Sequence, residues 1–477
     1  MATFEEYGQY DGLGLAELVQ NGVVGPQVLL DEAIARTEKL NPHLNALIHA
    51  LYDHAREAVR IGLPQGPFHG VPFLLKDLQT PMKDTPCQNG SAMWRNNRSA
   101  SDNTLVKRYR SAGLVIYGKT NTPEMGLNPV TEPKEFGPSR NPWDLNRTPG
   151  GSSGGAAALV AAGALPIAHA SDGGGSIRIP AACCGLFGLK PSRGRLPQGP
   201  EQSEAWAGQS TSHVLSRSVR DSAAMLDATA GNENGEAYSA PAHAGTFLIA
   251  ASTTPPSLRI AVSREKWGRG RYQPDVLAGL EKTVELLQAL GHQVVEARPA
   301  FDGEEASRAC FTVICVSTAL AVLQRAAQLD VDVDRLPMEE GTRLTVEMGR
   351  GTSATDYQAA VQFNHRLGHI MGRFYEHYDV TLAPTLASAP VPVGHISEAT
   401  PQQYGERLFS YMGDTTVYNQ TGQPSMSLPL HWNNNGLPIG MMFSAAYGND
   451  ALLLQLAGQL EQTAPWRDRR PPVWSGR

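Results

Sequence analysis

The 477-residue chain contains no run rich in lysine or arginine, and its net charge is −6 with only 18% charged residues. Nucleic acids and anionic membranes bind basic surfaces, so the sequence predicts neither as a partner. The start of the chain, MATFEEYGQYDG, has neither the basic segment nor the apolar run of a signal peptide. The most apolar segment, residues 156–168, is far shorter than the roughly 20 residues of a membrane span.

Cysteine is scarce as well. The five cysteines are an odd number, and none belongs to a CxxC pair or to the Cys/His spacing of a zinc site. They are Cys87, Cys183, Cys184, Cys310 and Cys315. We therefore predict reduced thiols, no metal, no cofactor and a cytoplasmic location. The expected partner is a small-molecule or oligomeric substrate, and a homodimer is compatible with the sequence.

The hydrophobic pattern alternates between two periods along the chain. Helical spacing covers residues 13–61, with breaks at 22–26 and 41–42, and recurs at residues 274–289, 307–329, 354–374 and 451–462. Short apolar runs typical of buried strands lie at residues 72–75, 114–117, 258–262, 380–383 and 425–428. This alternation predicts an α/β fold. We expect a single domain over residues 1–477, with the weakly patterned residues 232–256 as an excursion within it.

The most informative segment is residues 150–181, GGSSGGAAALVAAGALPIAHASDGGGSIRIPA, which contains serines in two glycine clusters. Glycines allow a backbone to point several N–H groups at one spot, as the oxyanion of acyl transfer requires. Ser176 follows Gly173, Gly174 and Gly175 and is therefore our candidate nucleophile, with the oxyanion held by the N–H groups of residues 173–176. Taken alone, a GGGS sequence is more often a flexible loop with a capping serine.

Two other polar positions stand out. Ser152 and Ser153 lie between glycine pairs just before an apolar run, where a serine alone would be interpreted as the N-cap of a helix. Lys76 ends the apolar run GVPFLL. Burial there would lower the pKa of the lysine toward that of a working base, whereas a lysine that reaches the surface would keep its charge.

These segments resemble, position for position, the signature of the amidase signature family, whose serine hydrolases use a Ser–Ser–Lys triad. The resemblance implies that Ser176 is the nucleophile. It also implies that Ser152, 24 residues earlier and in a cis peptide, passes protons to Lys76, the general base in the GVPFLLKD element. Ser153 would support the loop by hydrogen bonding. Asp172 and Arg178 would brace the glycine turn, and the alternative for this pair is an ordinary surface ion pair of little energetic value.

Further segments resemble family landmarks in the expected order. They are NPWD at 141–144, LKPSRGRLP at 189–197, LSRSVRD at 215–221, APT at 383–385, NQTGQPSMSLP at 419–429 and GLPIG at 436–440. The resemblance implies N-terminal helices at about 13–61, a signature core at about 65–225, a variable pocket-shaping section at about 230–375 and a C-terminal core at about 376–465. It also implies a mixed central β-sheet covered by helices on both faces.

Within the family, SDGGGSIRIPA, TGQPSMSLPLHW and APWRDRRPP most resemble 6-aminohexanoate cyclic-dimer hydrolases, aryl acylamidases and nylon-type polyamidases. The implied function is hydrolysis of linear or cyclic aliphatic amides and of aryl amides through a seryl acyl-enzyme. On this resemblance Asn128 and Cys315 are candidates for the pocket wall, although Cys315 is equally well interpreted as a small buried hydrophobe.

Two alternative functions fit the sequence less well. A glutaminyl-tRNA amidotransferase A subunit would need an acidic residue near NQTGQP, but Met412 lies at the expected place and Asp414 is displaced from it. A non-catalytic binding protein with this fold would not be expected to retain Lys76, Ser152 and Ser176.

Other catalytic motifs are incomplete. GGSSG satisfies G-x-S-x-G, but no buried strand precedes it, and the S-x-x-K at residues 263–266 lacks S-D-N and K-T-G. His169 lies between the glycine clusters and is expected to be a buried or helix-end residue. No Walker A or GxGxxG motif indicates nucleotide binding.

Overall fold

The computed structural model describes residues 4–476, so the predicted absence of a signal peptide falls partly outside the described residues. The helices are α1 Gly12–Gln20, α2 Pro26–Leu44, α3 Tyr52–Ile61, α4 Thr104–Ser111, α5 Gly154–Ala161, α6 Arg178–Cys184, α7 Val219–Thr229, α8 Phe247–Ala251, α9 Pro274–Ala289, α10 Gly303–Leu329, α11 Glu340–Gly351, α12 Ala354–Phe374, α13 Pro401–Tyr411, α14 Val417–Thr421 and α15 Asp450–Thr463. The strands are β1 Leu47–Ala50, β2 Pro72–Lys76, β3 Val115–Thr120, β4 Ile167–Asp172, β5 Phe187–Lys190, β6 Thr211–Ser216, β7 Arg259–Val262, β8 Gln293–Glu296, β9 Val380–Pro384, β10 Ser425–Trp432 and β11 Pro438–Ala445.

The strands form two sheets. The larger has eight strands in the order β4-β6-β5-β10-β11-β9-β7-β8, antiparallel from β4 to β9 and parallel from β9 to β8. The smaller has the order β1-β3-β2, with β1 antiparallel and β2 parallel to β3. The end of β2 lies beside β4, because the N–H of Lys76 donates to Nδ1 of His169 at 3.2 Å. The prediction of an α/β fold with mixed strands is confirmed.

Helices cover both faces of the larger sheet. On β11, a Cβ built on Gly440 would lie 2.5 Å from Ala182 of α6, whereas the neighbouring Met441 contacts Gly279 of α9. Successive residues of a strand point to opposite faces, so α6 and α9 lie on opposite sides of the sheet.

The longer periodic segments were predicted well. Helices α9 and α12 have the predicted bounds, and each predicted strand overlaps an observed one. The predicted break at 41–42 is wrong, since α2 continues through Pro42 to Leu44. Proline so close to the helix end removes only one backbone hydrogen bond, and the Asn41 side chain then stops the helix by accepting the N–H groups of Ala46 and Leu47.

Helix α10 is a longer apolar segment than residues 156–168. By length and composition it could cross a membrane, and it is the one such helix among residues 4–476. A core helix passes the same test, and one side of α10 is buried where it packs against α11 and α12. A cluster of buried apolar and aromatic residues from α10, α12, α14 and β11, here called the α10–α12 cluster, comprises Ala306, Ala309, Val313, Ala360, Phe363, Leu367, Met371, Val417, Tyr418 and Met442.

A matched pair of helical glycines tests the packing of α15. A Cβ on Gly458 would lie 1.9 Å from the carbonyl oxygen of Ala251 in α8, whereas nothing lies within 4 Å of a Cβ on Gly368 in α12. We expect Gly458→Ala to lower the free energy of unfolding by about 1–3 kcal/mol through overpacking. Gly368→Ala should raise it by about 0.5–1 kcal/mol through helix propensity. Urea denaturation of both variants measures this, and equal shifts would contradict the packing described.

Candidate active site

The glycine turn joins β4 to α6 and presents Ser176. Gly175 has φ of +125°, and a Cβ there would lie 2.6 Å from Oγ1 of Thr415, so this position requires glycine. Ser176 is partly exposed. Its hydroxyl has no hydrogen-bond partner among residues 4–476, so it is free to meet a substrate.

The N–H groups of the turn divide into two sets. The N–H of Gly175 donates to Oδ1 of Asp172 at 2.7 Å. It is therefore not free to bind an oxyanion, which corrects the expectation that all four N–H groups of residues 173–176 do so. The N–H groups of Gly173, Gly174 and Ser176 have no partner within the described part of the chain. Three unpaired donors on one turn are suited to a developing negative charge.

Asp172 and Arg178 form a fully buried ion pair, with 0% side-chain exposure for both and 2.9 Å between Nη2 and Oδ1. The alternative of a surface ion pair is therefore wrong. Burial alone would raise the pKa of Asp172, but Arg178 outweighs it and holds that pKa well below its usual range. The carboxylate also accepts the N–H of Ile177 at 3.1 Å. The pair thus fixes the direction of the backbone on both sides of Ser176.

Two residues that the sequence reasoning did not assign complete this brace. Asn419 donates to the carbonyl and to Oδ1 of Asp172 at 3.0 and 2.9 Å, and its Oδ1 accepts from Arg178 at 2.7 Å. Thr415 accepts from Arg178 at 2.9 Å through its carbonyl and donates from Oγ1 to the carbonyl of Gly174 at 2.6 Å. Asn419 begins the NQTGQP segment and could have been found there, whereas nothing in the sequence marked Thr415.

The other glycine cluster holds Ser152 beside Lys76. The Gly151–Ser152 peptide is cis, and Lys76 Nζ lies 2.7 Å from Ser152 Oγ. Helix α5 begins at Gly154, and the residue before it, Ser153, makes no side-chain capping bond. The N-cap interpretation of these serines is therefore wrong. Ser153 Oγ instead pairs with the carbonyl and the N–H of Ser171 at 3.3 and 3.4 Å, which ties the loop to β4.

Lys76, the last residue of β2, is fully buried. Its Nζ donates to Ser152 Oγ and to Ser171 Oγ, the latter at 3.0 Å. The alternative that Lys76 reaches the surface and keeps its charge is therefore wrong. Burial lowers the pKa of Lys76 to about 7, although the negative charge of Asp172 acts in the opposite direction. An amine that is neutral near pH 7 can accept a proton from the hydroxyl beside it. Ser171 was not recognised from the sequence.

His169 is buried, as expected. Its Nδ1 accepts the backbone N–H of Lys76, and its Nε2 has no partner among the residues described. Burial and the nearby charges of Lys76 and Lys119 lower the pKa of His169 to about 3, so the ring is neutral at ordinary pH. It positions the end of β2 and has no contact suited to a catalytic base.

The two candidate pocket residues lie in different surroundings. The carbonyl oxygen of Asn128 would be 2.7 Å from a Cβ on Gly151, so Asn128 borders the serine loop. Cys315 is buried on α10, where its carbonyl faces Gly349 of α11, and burial raises the pKa of its thiol to about 11. Neither observation tests a contact with substrate, and both pocket roles stay predictions. Within residues 4–476 no group of three or more His, Cys, Asp or Glu residues could hold a metal ion.

Comparison with known proteins finds relatives that match almost the whole chain. A family model described as Amidase matches residues 28–454. The chain is 36% identical to 6-aminohexanoate-cyclic-dimer hydrolase of Paenarthrobacter ureafaciens, over 97% of this chain and 96% of that protein. It is 38% identical to the putative amidase AmiC of Mycobacterium tuberculosis H37Rv, over 96% and 95%. A structure of 6-aminohexanoate cyclic dimer hydrolase superposes with a TM-score of 0.90 at 33% identity, covering 98% and 99%. A bacterial aryl acylamidase of the amidase signature family gives 0.88 at 27%, covering 96% and 98%.

The buried ion pair generates a stability prediction. Arg178→Met leaves the Asp172 carboxylate buried without its cation, so we expect the free energy of unfolding at pH 7 to fall by about 3–5 kcal/mol. Without Arg178 the pKa of Asp172 rises, and the deficit should shrink as the pH is lowered toward about 4.

The control is Arg264→Met, which removes a surface arginine paired with Glu281 and Glu296. It should cost less than about 1 kcal/mol. Denaturant titrations of both variants at pH 7 and pH 4 measure this. A deficit for Arg178→Met no larger than that of the control would contradict the assigned brace.

Proposed function

The chain belongs to the amidase signature family and hydrolyses C–N amide bonds other than peptide bonds, and we propose that it does so through an acyl-enzyme on Ser176. The observation that carries the proposal is the buried lysine beside the cis-peptide serine. Lys76 Nζ and Ser152 Oγ are 2.7 Å apart, and the pKa of this lysine is lowered to about 7. A proton acceptor of this kind activates a serine that has no histidine next to it.

The proposed steps use only groups of this site. Ser176 Oγ attacks the amide carbon while its proton passes to Ser152 and the proton of Ser152 passes to neutral Lys76. The unpaired N–H groups of Gly173, Gly174 and Ser176 hold the resulting oxyanion. The C–N bond then breaks, and the leaving nitrogen receives a proton from Ser152, which regains one from the Lys76 ammonium. Water attacks the ester by the same route in reverse and releases the acid.

We propose linear or cyclic aliphatic amides, including 6-aminohexanoate oligomers, and aryl amides as substrates. Similarity to proteins named 6-aminohexanoate-cyclic-dimer hydrolase and aryl acylamidase supports this choice. The apolar and aromatic character of the α10–α12 cluster is compatible with it. The cytoplasmic location and the absence of nucleic-acid and membrane partners stay predictions.

The amidotransferase alternative is less well supported because Asp414 is engaged within the fold. Its carboxylate accepts the N–H of Trp267 at 2.9 Å and the hydroxyl of Tyr272 at 3.4 Å. Burial raises the pKa of Asp414, against the effect of these donors. A carboxyl group that caps backbone N–H groups and resists ionisation is poorly suited to bind the ammonium of glutamine.

Substitutions in the proposed triad should abolish turnover without unfolding the chain. We expect Ser176→Ala, Ser152→Ala and Lys76→Ala each to lower kcat/KM by several orders of magnitude. Removal of any one member of a coupled triad removes most of the acceleration that the triad provides. Ser153→Ala is the control and should be milder than Ser152→Ala, since the Ser153 side chain bonds only to Ser171 among residues 4–476. Initial rates on an acyl anilide measure this. More than about a tenth of wild-type activity in any triad variant would refute that residue's role.

The pH dependence follows from the state of the base. Lys76 must be neutral to accept a proton, so kcat/KM should rise with pH and level off above an apparent pKa near 7. The reference value for an unburied lysine is about 10.4. A profile of kcat/KM from pH 5 to 11 locates the midpoint of this rise. A midpoint near the pKa of an unburied lysine would show that Lys76 is not desolvated.

A substrate panel tests the proposed specificity. We expect faster hydrolysis of a 6-aminohexanoate oligomer and an acyl anilide than of a short aliphatic amide, and no hydrolysis of free glutamine. Preference for glutamine, or activity only with added partner subunits, would favour the amidotransferase alternative. Binding of all four compounds without turnover would favour a non-catalytic protein.

A further inference from the structure

A strained turn lies between β5 and β6, here called the tryptophan turn and comprising residues 205–210. Trp206 has φ of +53°, Ala207 of +51° and Gly208 of +77°. Two consecutive non-glycine residues in the left-handed region are energetically unfavourable and persist only where the surroundings hold them. The carbonyl of Ala205 closes the turn by accepting the N–H of Ser210 at 3.3 Å.

The turn is attached to the residues that brace the nucleophile. Asn419 Nδ2 donates to the carbonyl of Gln209 at 3.0 Å and to Asp172. Arg193 Nε donates to the carbonyl of Gly208, and its Nη2 donates to the carbonyl of Asn419 at 2.9 Å. The position of the tryptophan turn is therefore coupled to the position of the glycine turn.

The indole of Trp206 lies against the first residue of the proposed oxyanion turn. A Cβ on Gly173 would be 2.6 Å from Cζ3 and 2.7 Å from Cε3 of the ring. The ring is only partly buried, and it also packs against the α10–α12 cluster. Its indole N–H has no hydrogen-bond partner among the described residues. The ring thus contacts both Gly173 of the glycine turn and the α10–α12 cluster.

We propose that Trp206 is a specificity-determining residue that holds the hydrocarbon part of an uncharged amide beside the scissile carbonyl. The inference rests on the proposed function. An indole face is large, apolar and rigid, so it can contact an aliphatic chain or an aryl ring at little cost in side-chain freedom. A small amide would not extend far enough to gain from this contact.

The kinetic test compares a long and a short substrate. For Trp206→Ala we expect kcat/KM for hexanoyl anilide to fall by about 10- to 100-fold, while that for propionamide falls by less than about threefold. Trp206→Phe, which keeps an aromatic face, should lie between wild type and Trp206→Ala for hexanoyl anilide. Equal losses on both substrates, or an unchanged ratio between them, would overturn the proposal, since a purely structural role affects both alike.

Two control variants distinguish the effect of the Trp206 indole from the effect of its surroundings. Ala207→Gly relieves backbone strain next to Trp206 but keeps the ring, so the ratio between the two substrates should stay within about twofold of wild type. Trp432→Ala removes a partly buried tryptophan that packs on Trp143 at the end of β10, with a ring separation of 5.6 Å. It should leave the ratio unchanged. A shift of the ratio in the Trp432 variant as large as in Trp206→Ala would overturn the proposal.

A binding measurement keeps this inference separate from the proposed function. In Ser176→Ala protein, hexanoyl anilide should change the tryptophan fluorescence, and adding Trp206→Phe should remove most of that change, whereas adding Trp432→Phe should not. Persistence of the change in the Trp206→Phe background, or no change in the Ser176→Ala parent, would overturn the role of Trp206. Failure of the wild-type protein to hydrolyse any amide would overturn the proposed function instead.

Discussion

The buried ion pair of Asp172 and Arg178 is the interaction on which the site depends. Two charges without solvent are tolerated only where hydrogen bonds satisfy their remaining atoms. Here those bonds come from the glycine turn and from Asn419. The hydrogen bonds that the ion pair requires therefore determine the conformation of the turn. The carboxylate takes the N–H of Gly175, and the N–H groups of its neighbours are left free for a ligand. The hydrogen bonds that compensate the buried charges therefore also orient the free N–H groups of the glycine turn.

The same ion pair also affects the pKa of the buried Lys76. The charge of Asp172 raises the pKa of Lys76, and desolvation lowers it to about 7 despite this. Because Arg178 lies on Asp172 at 2.9 Å, much of the carboxylate charge is compensated before it acts on Lys76. Hydroxyl groups of Ser152 and Ser171, rather than a carboxylate, contact Nζ. A lysine in such surroundings can be neutral near pH 7 without a metal or a second base next to it.

Parts of the site escaped prediction because they depend on contacts between distant segments. Thr415 reaches the glycine turn across 241 positions of sequence, and only the packing of the chain before α14 against α6 brings it there. Nothing in the sequence marked Ser171, which meets Lys76 only because β4 lies beside β2. Strand β4 itself was missed because its sequence, IAHASD, has no strong β-propensity. Its extended conformation comes from its pairing with β6 along all six residues, which lie far away in the sequence.

By itself, the sequence determined the family, the α/β class, the longest helices, five of the strands, and the identity of Lys76, Ser152 and Ser176 as candidates. These follow from local patterns, because hydrophobic period and glycine content are properties of short segments. Only the tertiary structure decided that Asp172 and Arg178 are buried, that Gly175 is not an oxyanion donor and that Trp206 lies on Gly173. Burial and hydrogen-bond partners depend on which distant residues meet, and no single segment contains that information.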